Sequence, residues 1–356
     1  MVLDARDDPN EFSFPQTPVK HSFSEPILWP PASASNGEAG EAGEAVETRE
    51  AFGAGEAVEA GEAVEAGEAR EAGEACGNPE TLATGRADPA SVASEGVPRF
   101  FVSRYASSQK HAPLSRRAVE SIRRIYPSAL VTIVDDGSPP ELAHVPDGPL
   151  TVVVPNPYPK SGEVGTLRVA WTSLRAGDDL AITMHDGMVL VAPLPSPVLP
   201  PDGDVSFLWH FDRYANMHFP RSLALLSNLM MSDRDLASLS DAFLAGFNVS
   251  WRGCFGVALA VRKRALDAVH ARCGLFGHAF MRHVRDRESR QAAERVVGLV
   301  AHAFARRKGA PAMIPSLCGN IFDHPAPWST QSSGYDLDRV LRSGYPGPFH
   351  KTWSGR

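Results

Sequence analysis

The chain has 356 residues, with 42 Asp and Glu against 35 Lys and Arg and a formal charge of −7. That charge is uneven: residues 1–96 hold 20 acids and five bases, the remainder 22 and 30, so the two stretches carry −15 and +8. The four cysteines (Cys76, Cys254, Cys273, Cys318) include no CxxC pair, against a zinc site or disulfide scaffold, and the basic stretch lacks the dense Lys/Arg stripes with interleaved aromatics of a nucleic-acid binder.

The first quarter is low in complexity. From Gly37 to Ala75 it repeats GEA and GEAVEA, with glutamate at every third position from Glu38 to Glu74 except at Gly53. A glutamate every third residue drifts around a helix and leaves no apolar stripe, and such a segment buries too little apolar surface to offset its ordering entropy. Residues 1–96 are therefore expected to be a disordered acidic tail, and residues 97–356 one folded domain. An acidic, proline-rich start (Asp4, Asp7, Asp8, Glu11) argues against a secretory signal or an Arg-rich transit peptide. No run of about 18 apolar residues suggests a membrane span, and a cytoplasmic location is the default expectation.

The body opens with a strand at Arg99–Ser103, followed by a helix in which Pro113 suits the first turn and Leu114, Ala118, Ile122 and Ile125 recur at helical spacing. ALVTIVDDGS (Ala129–Ser138) reads as a second strand and Leu150–Val154 as a third. Glycines then flank a helix with Val164, Leu167, Trp171 and Leu174 on one face. LAITMHD (Leu180–Asp186) is the next strand, Val205–Phe211 a further one, and residues 233–246 a helix. Cys254–Val269 runs from strand into helix, and Glu288–Arg306 is a long helix with Ala292, Val296, Leu299 and Ala303 on one side. From about Pro311 the chain is rich in loops and is expected to close over a site. Strand–helix–strand twice over predicts a doubly wound, Rossmann-like α/β sheet, mainly parallel and flanked by helices.

Two of those strands end abruptly in acid: Asp135 and Asp136 before Gly137, and Asp186 before Gly187. Ligands of open α/β sheets sit beyond the carboxyl ends of the strands, so the pair predicts one acidic pocket suited to a ribose, a base edge or a divalent cation. SGEVGT (Ser161–Thr166) precedes a helix whose N-terminus suits a phosphate. Trp209, His210, Asp212 and Trp251 are candidates for an acceptor platform, since aromatic faces suit sugar rings.

The ordered set FFVSRY, VDDGS, SGEVGTLRVAWTSLRAGDDLAITMHDGMVL and WRGCFGVALAVRKRALDAV resembles glycosyltransferases of the GT-A fold, especially family 2-like enzymes, over about residues 99–306. His-Asp in place of the family's DxD, and Glu294-Arg295 with Gly298, are similar to variants in some viral and algal GT-A-like proteins. The resemblance implies a transferase that moves a sugar from a UDP- or GDP-linked donor to a glycan, protein or small-molecule hydroxyl. It implies donor contacts at Ser103, Arg104, Tyr105, Asp135, Asp136, Arg168, His185 and Asp186, with Arg168 on the diphosphate. It places the catalytic base at Glu294 or Asp286, and a Mn²⁺ or Mg²⁺ ion on Asp186 with His324, or His350-Lys351 reaching back to the diphosphate. One departure stands out: DxD supplies two carboxylates, whereas His185-Asp186-Gly187-Met188 supplies one. The alternative from another class is a catalytically silent GT-A-like module that binds a glycan or protein partner. A nucleotidyltransferase is the third option, but FFVSRYASSQ lacks the glycine- and lysine-rich loop such an enzyme needs after its first strand.

Overall fold

In the computed structural model, which describes residues 97–143, 148–175, 180–212, 218–246, 251–306, 313–323 and 347–351, the two acid-ended runs lie parallel to, and on either side of, the opening strand Arg99–Arg104. The expected tail of residues 1–96 and the loop with His324 lie outside the described residues. β1 (Arg99–Arg104), α1 (Ala112–Ile125), β2 (Val131–Asp135), β3 (Thr151–Pro155), α2 (Glu163–Ser173) and β4 (Leu180–His185) follow in chain order. Next come β5 (Met188–Leu190), β6 (Val205–Phe207), β7 (His210–Phe211), α3 (Phe219–Leu226) and α4 (Asp233–Ala245). β8 (Gly253–Cys254), a 3₁₀ turn at Phe255–Val257, β9 (Leu259–Arg262), α5 (Lys263–Cys273), α6 (His278–Met281), α7 (Arg287–Phe304) and β10 (Phe349–Lys351) complete the set.

Six strands form one sheet in the order β3-β2-β1-β4-β9-β6. The first four are parallel, and β9 runs antiparallel to both of its neighbours. This mixed, mainly parallel α/β sheet flanked by helices is compatible with a Rossmann-like fold. Alternate residues of a strand face opposite sides, and β1 divides accordingly. Phe100 and Val102 pack with Ala118 and Ile122 of α1, whereas Phe101 packs with Val164 and Leu167 of α2 and with the buried face of α7.

Local signals account for the helix ends. Pro113 lies in the first turn of α1, and Arg123 and Arg124 sit in its last turn, where cations favour the helix dipole. The Ser232 hydroxyl caps α4 by accepting from the Asp235 N–H, with Asp233 and Asp235 in its first turn. Asp286 and Ser289 form a reciprocal capping box at the start of α7. Among the described residues, no helix is long and apolar enough to cross a membrane.

The expected single strand at Val205–Phe211 is two short ones. The chain leaves β9 after Phe207, with Leu208 N–H donating to Ala258 O, and His210 then pairs with Cys254 of β8. The reversal of β9 has a consequence for position. A parallel strand delivers its carboxyl end to the rim that carries Asp135 and His185; antiparallel β9 delivers the turn that precedes it, Phe255–Val257. Gly256 occupies that turn at φ +60°, a left-handed conformation that favours glycine.

Helix α7 lies against β8 at Gly298. A Cβ there would overlap the Arg252 carbonyl oxygen and come within 3.0 Å of the Cys254 nitrogen. Alanine gains about 1 kcal/mol over glycine in helix propensity, but overpacking against rigid neighbours costs about 1–3 kcal/mol or more. Gly298→Ala is therefore expected to lower the unfolding midpoint in urea. A variant more stable than the parent would show that helix and strand separate freely.

Candidate functional site

The carboxyl ends of β1, β2 and β4 lie at one rim, tied together by their backbones. Asp136 N–H donates to Arg104 O at 2.8 Å and Asp186 N–H donates to Ser103 O at 2.9 Å. Ser103, Arg104, Asp135, Asp136, His185 and Asp186 are thus brought together, and all but Asp135 are buried. Tyr105 projects outward and is 40% exposed.

The two adjacent aspartates serve different purposes. Asp135 Oδ1 accepts from the N–H groups of Gly137 (3.0 Å) and Ser138 (2.7 Å), and Oδ2 pairs with the buried Arg104 guanidinium. That is an Asx turn locked by an ion pair. Asp136 turns inward. Its Oδ1 accepts from Asn156 Nδ2 (2.6 Å) and Lys160 N–H (2.7 Å), and its Oδ2 from Gly162 N–H at 3.1 Å. The carboxylate therefore occupies the approach to α2, where a phosphate was expected. Burial pushes the Asp136 carboxyl up to about 6 against the pull of these bonds and of Arg290.

A second cluster forms across the rim. Arg290 and Glu294 are four residues apart on α7 and so share a face. Arg290 lies over Gly162: a Cβ there would meet its Cδ at 2.8 Å. Glu294 is partly accessible, and its carboxylate accepts a hydrogen bond from Gly256 N–H. Desolvation pushes its carboxyl up to about 8; Arg295 pulls it down, Glu163 in the first turn of α2 pushes it up, and Arg290 pulls it down. The same Gly256 packs on His185, whose Nε2 would be 3.2 Å from a Cβ at that position. One turn thus joins Glu294 to the end of β4.

The C-terminal strand completes the rim. β10 pairs antiparallel with β5, bringing Lys351 opposite Met188. Lys351 Nζ lies 2.9 Å from His185 Nδ1, with both side chains buried. An ammonium only donates, so Nδ1 accepts and the ring's proton is assigned to Nε2.

Other expected residues lie elsewhere. The Asp286 carboxylate accepts from Ser289 N–H at 2.7 Å as the cap of α7 and pairs with Arg221 at 2.6 Å. The Ser289 backbone bond holds that carboxyl below its usual range, which suits a helix cap and makes it a weak base. Arg168 points to the α5–α6 side, donating from Nε to Phe276 O at 3.2 Å and lying 5.0 Å over the Tyr158 ring. The aromatic platform is corrected. Trp209 and Trp251 are fully buried; Trp251 stacks on Phe243 and donates to Ala242 O, so neither ring offers a face to an acceptor. His210 is also buried beside Ser316, and desolvation lowers its imidazole to about 4.

Three participants escaped sequence reasoning: Glu163, Arg290 and Gly256. Only Arg290 had a usable signal, its spacing of four from Glu294. A cavity of about 400 Å³ also exists, but between Pro98, Leu194, Pro197, Pro200, Arg262 and Arg264. Leu180 starts β4 and Arg262 ends antiparallel β9, which puts that cavity at the opposite rim.

Of the two side chains expected to hold a divalent cation, only Asp186 is among the described residues; His324 lies outside them. Mg²⁺ and Mn²⁺ prefer oxygen ligands. The end of β4 offers one carboxylate and a histidine whose Nδ1 is engaged by an ammonium. A dication about 4 Å from that ammonium would meet roughly twice the ~4 kcal/mol felt by unit charges at an effective dielectric of about 20. Among the described residues, no group of three His, Cys, Asp or Glu side chains is placed to hold a metal.

Compared with known protein families and with curated proteins, the chain has no match.

Proposed function

We propose that the chain is a GT-A-type glycosyltransferase that takes a sugar from a nucleoside-diphosphate donor, UDP- or GDP-linked, to an acceptor hydroxyl. The reading is supported by the order of strands around an acid-ended rim. The observation that carries it is Glu294: a carboxyl raised to about 8 that accepts from Gly256 N–H, on the turn that packs against His185. A general base works best when its pKa lies near the operating pH. Here the acceptor O–H gives its proton to ionised Glu294 as its oxygen attacks the anomeric carbon. The nucleotide would lie along the ends of β1 and β4, beside Asp186 and exposed Tyr105.

The second reading, a silent binding module, is favoured by one specific observation: Asp136 spends its carboxylate on its own loop. Thermal melts with UDP-, GDP- and CMP-sugars separate the two. We expect one nucleotide class to raise the melting temperature of the parent chain and to have no effect on Asp186→Asn. No response to any nucleotide sugar would replace the transferase by the binding module.

A further inference from the structure

A line of arginines runs from solvent along α7 to Glu294. Arg287, Arg290 and Glu294 stand at positions i, i+3 and i+7 and so share one face of the helix. Arg287 is exposed, Arg290 and Glu294 are partly buried, and the helix is buried from Arg295 to His302. The span from Arg287 to Glu294 is about 10 Å along the axis, the length of two sugar rings. The Arg290 guanidinium lies over the start of α2, where Gly162 at φ +56° leaves it room: a Cβ there would be 3.1 Å from Nη1 and 3.8 Å from Nε. Among the described residues, no hydrogen bond or ion pair engages the guanidinium of Arg290, nor those of exposed Arg285 and Arg287.

The nearby carboxyls have other duties. Asp136 takes three N–H groups from its own loop, Asp286 caps α7 and pairs with Arg221, and Glu294 keeps its proton up to about pH 8. Between Arg282 and Arg290 the chain carries Arg282, Arg285, Arg287 and Arg290 against Asp286 and Glu288, which leaves Glu163 as the other counter-charge. Desolvation lowers the His283 imidazole, and the charges of Arg282, Arg285, Arg221 and His278 lower it further, so these cations converge at the start of α7.

We propose that the acceptor is an acidic glycan, a chain of sugar carboxylates that lies along this face with its charges on Arg287 and Arg290 and its terminal hydroxyl at Glu294. The inference rests on the transferase reading above and names the acceptor class for it. A guanidinium is planar and suits a carboxylate through two parallel N–H bonds. Partly buried Arg290 is screened less by salt than exposed Arg287, so it supplies the larger share of binding, while the exposed cations steer the chain towards the helix. In the step, the terminal hydroxyl gives its proton to ionised Glu294 as its oxygen bonds to the anomeric carbon. The bond from that carbon to the donor's phosphate oxygen breaks, and its electron pair leaves with the diphosphate.

The test is titration calorimetry of the full chain at pH 7 in low salt. The probes are trisaccharides of galacturonate and of 1,4-linked glucuronate, each beside its methyl ester, which has the same rings without the charge. Binding is the readout because Arg290 also pulls down the Glu294 carboxyl that desolvation raises, so a change of rate would mix two effects. The parent is expected to bind one or both acids at least about tenfold more tightly than the ester. Arg290→Gln should remove that preference, the loss of a charge-assisted hydrogen bond, and leave the ester within about twofold. Arg290→Lys should keep part of the preference, and Arg287→Gln should weaken it a few-fold. Acid and ester bound alike by the parent, or a preference retained in Arg290→Gln, overturns the proposal. An oligouridylate of equal charge bound more tightly than either acid, and lost in Arg290→Gln, would make this a nucleic-acid surface and also overturn it. Sugar transfer to ester and acid at equal rates would overturn it while leaving the transferase reading intact. An acid bound through Arg290, with no nucleoside diphosphate released from any nucleotide sugar, would uphold the acidic-glycan surface and remove the transferase reading.

Discussion

Glu294→Gln is expected to raise the melting temperature at pH 8, to leave it nearly unchanged at pH 5, and to cut sugar transfer by about 10²–10⁴-fold. The stability effect follows from proton linkage. Burial raises the Glu294 carboxyl from its ordinary value near 4.5 to about 8. Between those values the folded chain keeps a proton that the unfolded chain has released, so stability falls as pH rises through that window and levels off above it. Each unit of separation is worth about 1.4 kcal/mol, and the partial accessibility of the carboxyl discounts the whole to roughly 2–4 kcal/mol. Glutamine keeps an oxygen for the Gly256 N–H and has no charge to desolvate. The groups facing Glu294 set the sign of a companion variant. Arg290 lowers the carboxyls of both Glu294 and Asp136, so Arg290→Ala should move the alkaline loss of stability to higher pH. Equal slopes of melting temperature against pH in parent and Glu294→Gln would mean that Glu294 is not the desolvated group. Full activity in Glu294→Gln would remove it as the base.

The elements legible in the sequence were those that carry their signal within one segment. FFVS, VTIV and LAITM are apolar runs stopped by polar residues, and each is a buried strand; the first and third end within one residue of expectation, and the second spans Val131–Asp135 inside the expected Ala129–Ser138. The spacing of Leu114, Ala118 and Ile122, and of Ala292, Val296 and Leu299, placed α1 and α7 and their buried faces. Direction and pairing were not legible, because a run of apolar residues reads the same up or down a sheet. That is why β9 emerged antiparallel and why Gly256 could not be foreseen at the site. The β5–β10 pair spans only three residues on each strand, too short for a pattern. Trp251 shows a further limit: a tryptophan that stacks on a ligand and one that stacks on Phe243 have the same letter, and only burial separates them. The two aspartates of VDDGS fall between these cases. Their place at the rim follows from the strand, but which way each carboxylate turns depends on Asn156, Lys160 and Gly162, some twenty residues further on.

Those inward bonds give the second large effect. Asp136→Ala removes the acceptor for two backbone N–H groups and the Asn156 amide. Each buried donor left without a partner costs about 1–3 kcal/mol, and relief of the desolvated charge returns a part. The carboxyl's raised value of about 6 lies above its ordinary 3.8, so that relief is absent at pH 4 and is complete above pH 6. It amounts to roughly 2–3 kcal/mol at most. The orphaned donors therefore win: Asp136→Ala should be destabilised by a few kcal/mol at pH 4 and by less at pH 7. Asp136→Asn should behave differently. Its amide oxygen can still accept from Asn156 and Lys160, and it carries no charge; only the Gly162 bond is lost, so its stability at pH 7 should stay within about 1 kcal/mol of the parent. This pair of variants decides what the second aspartate does. If Asp136 pins the loop, Asp136→Asn keeps the response to a nucleotide sugar that Asp186→Asn loses, and recognition rests on the β4 end. If Asp136 instead held the nucleotide, both asparagine variants would lose that response at unchanged stability, and the loop bonds would have to open for ligand to enter.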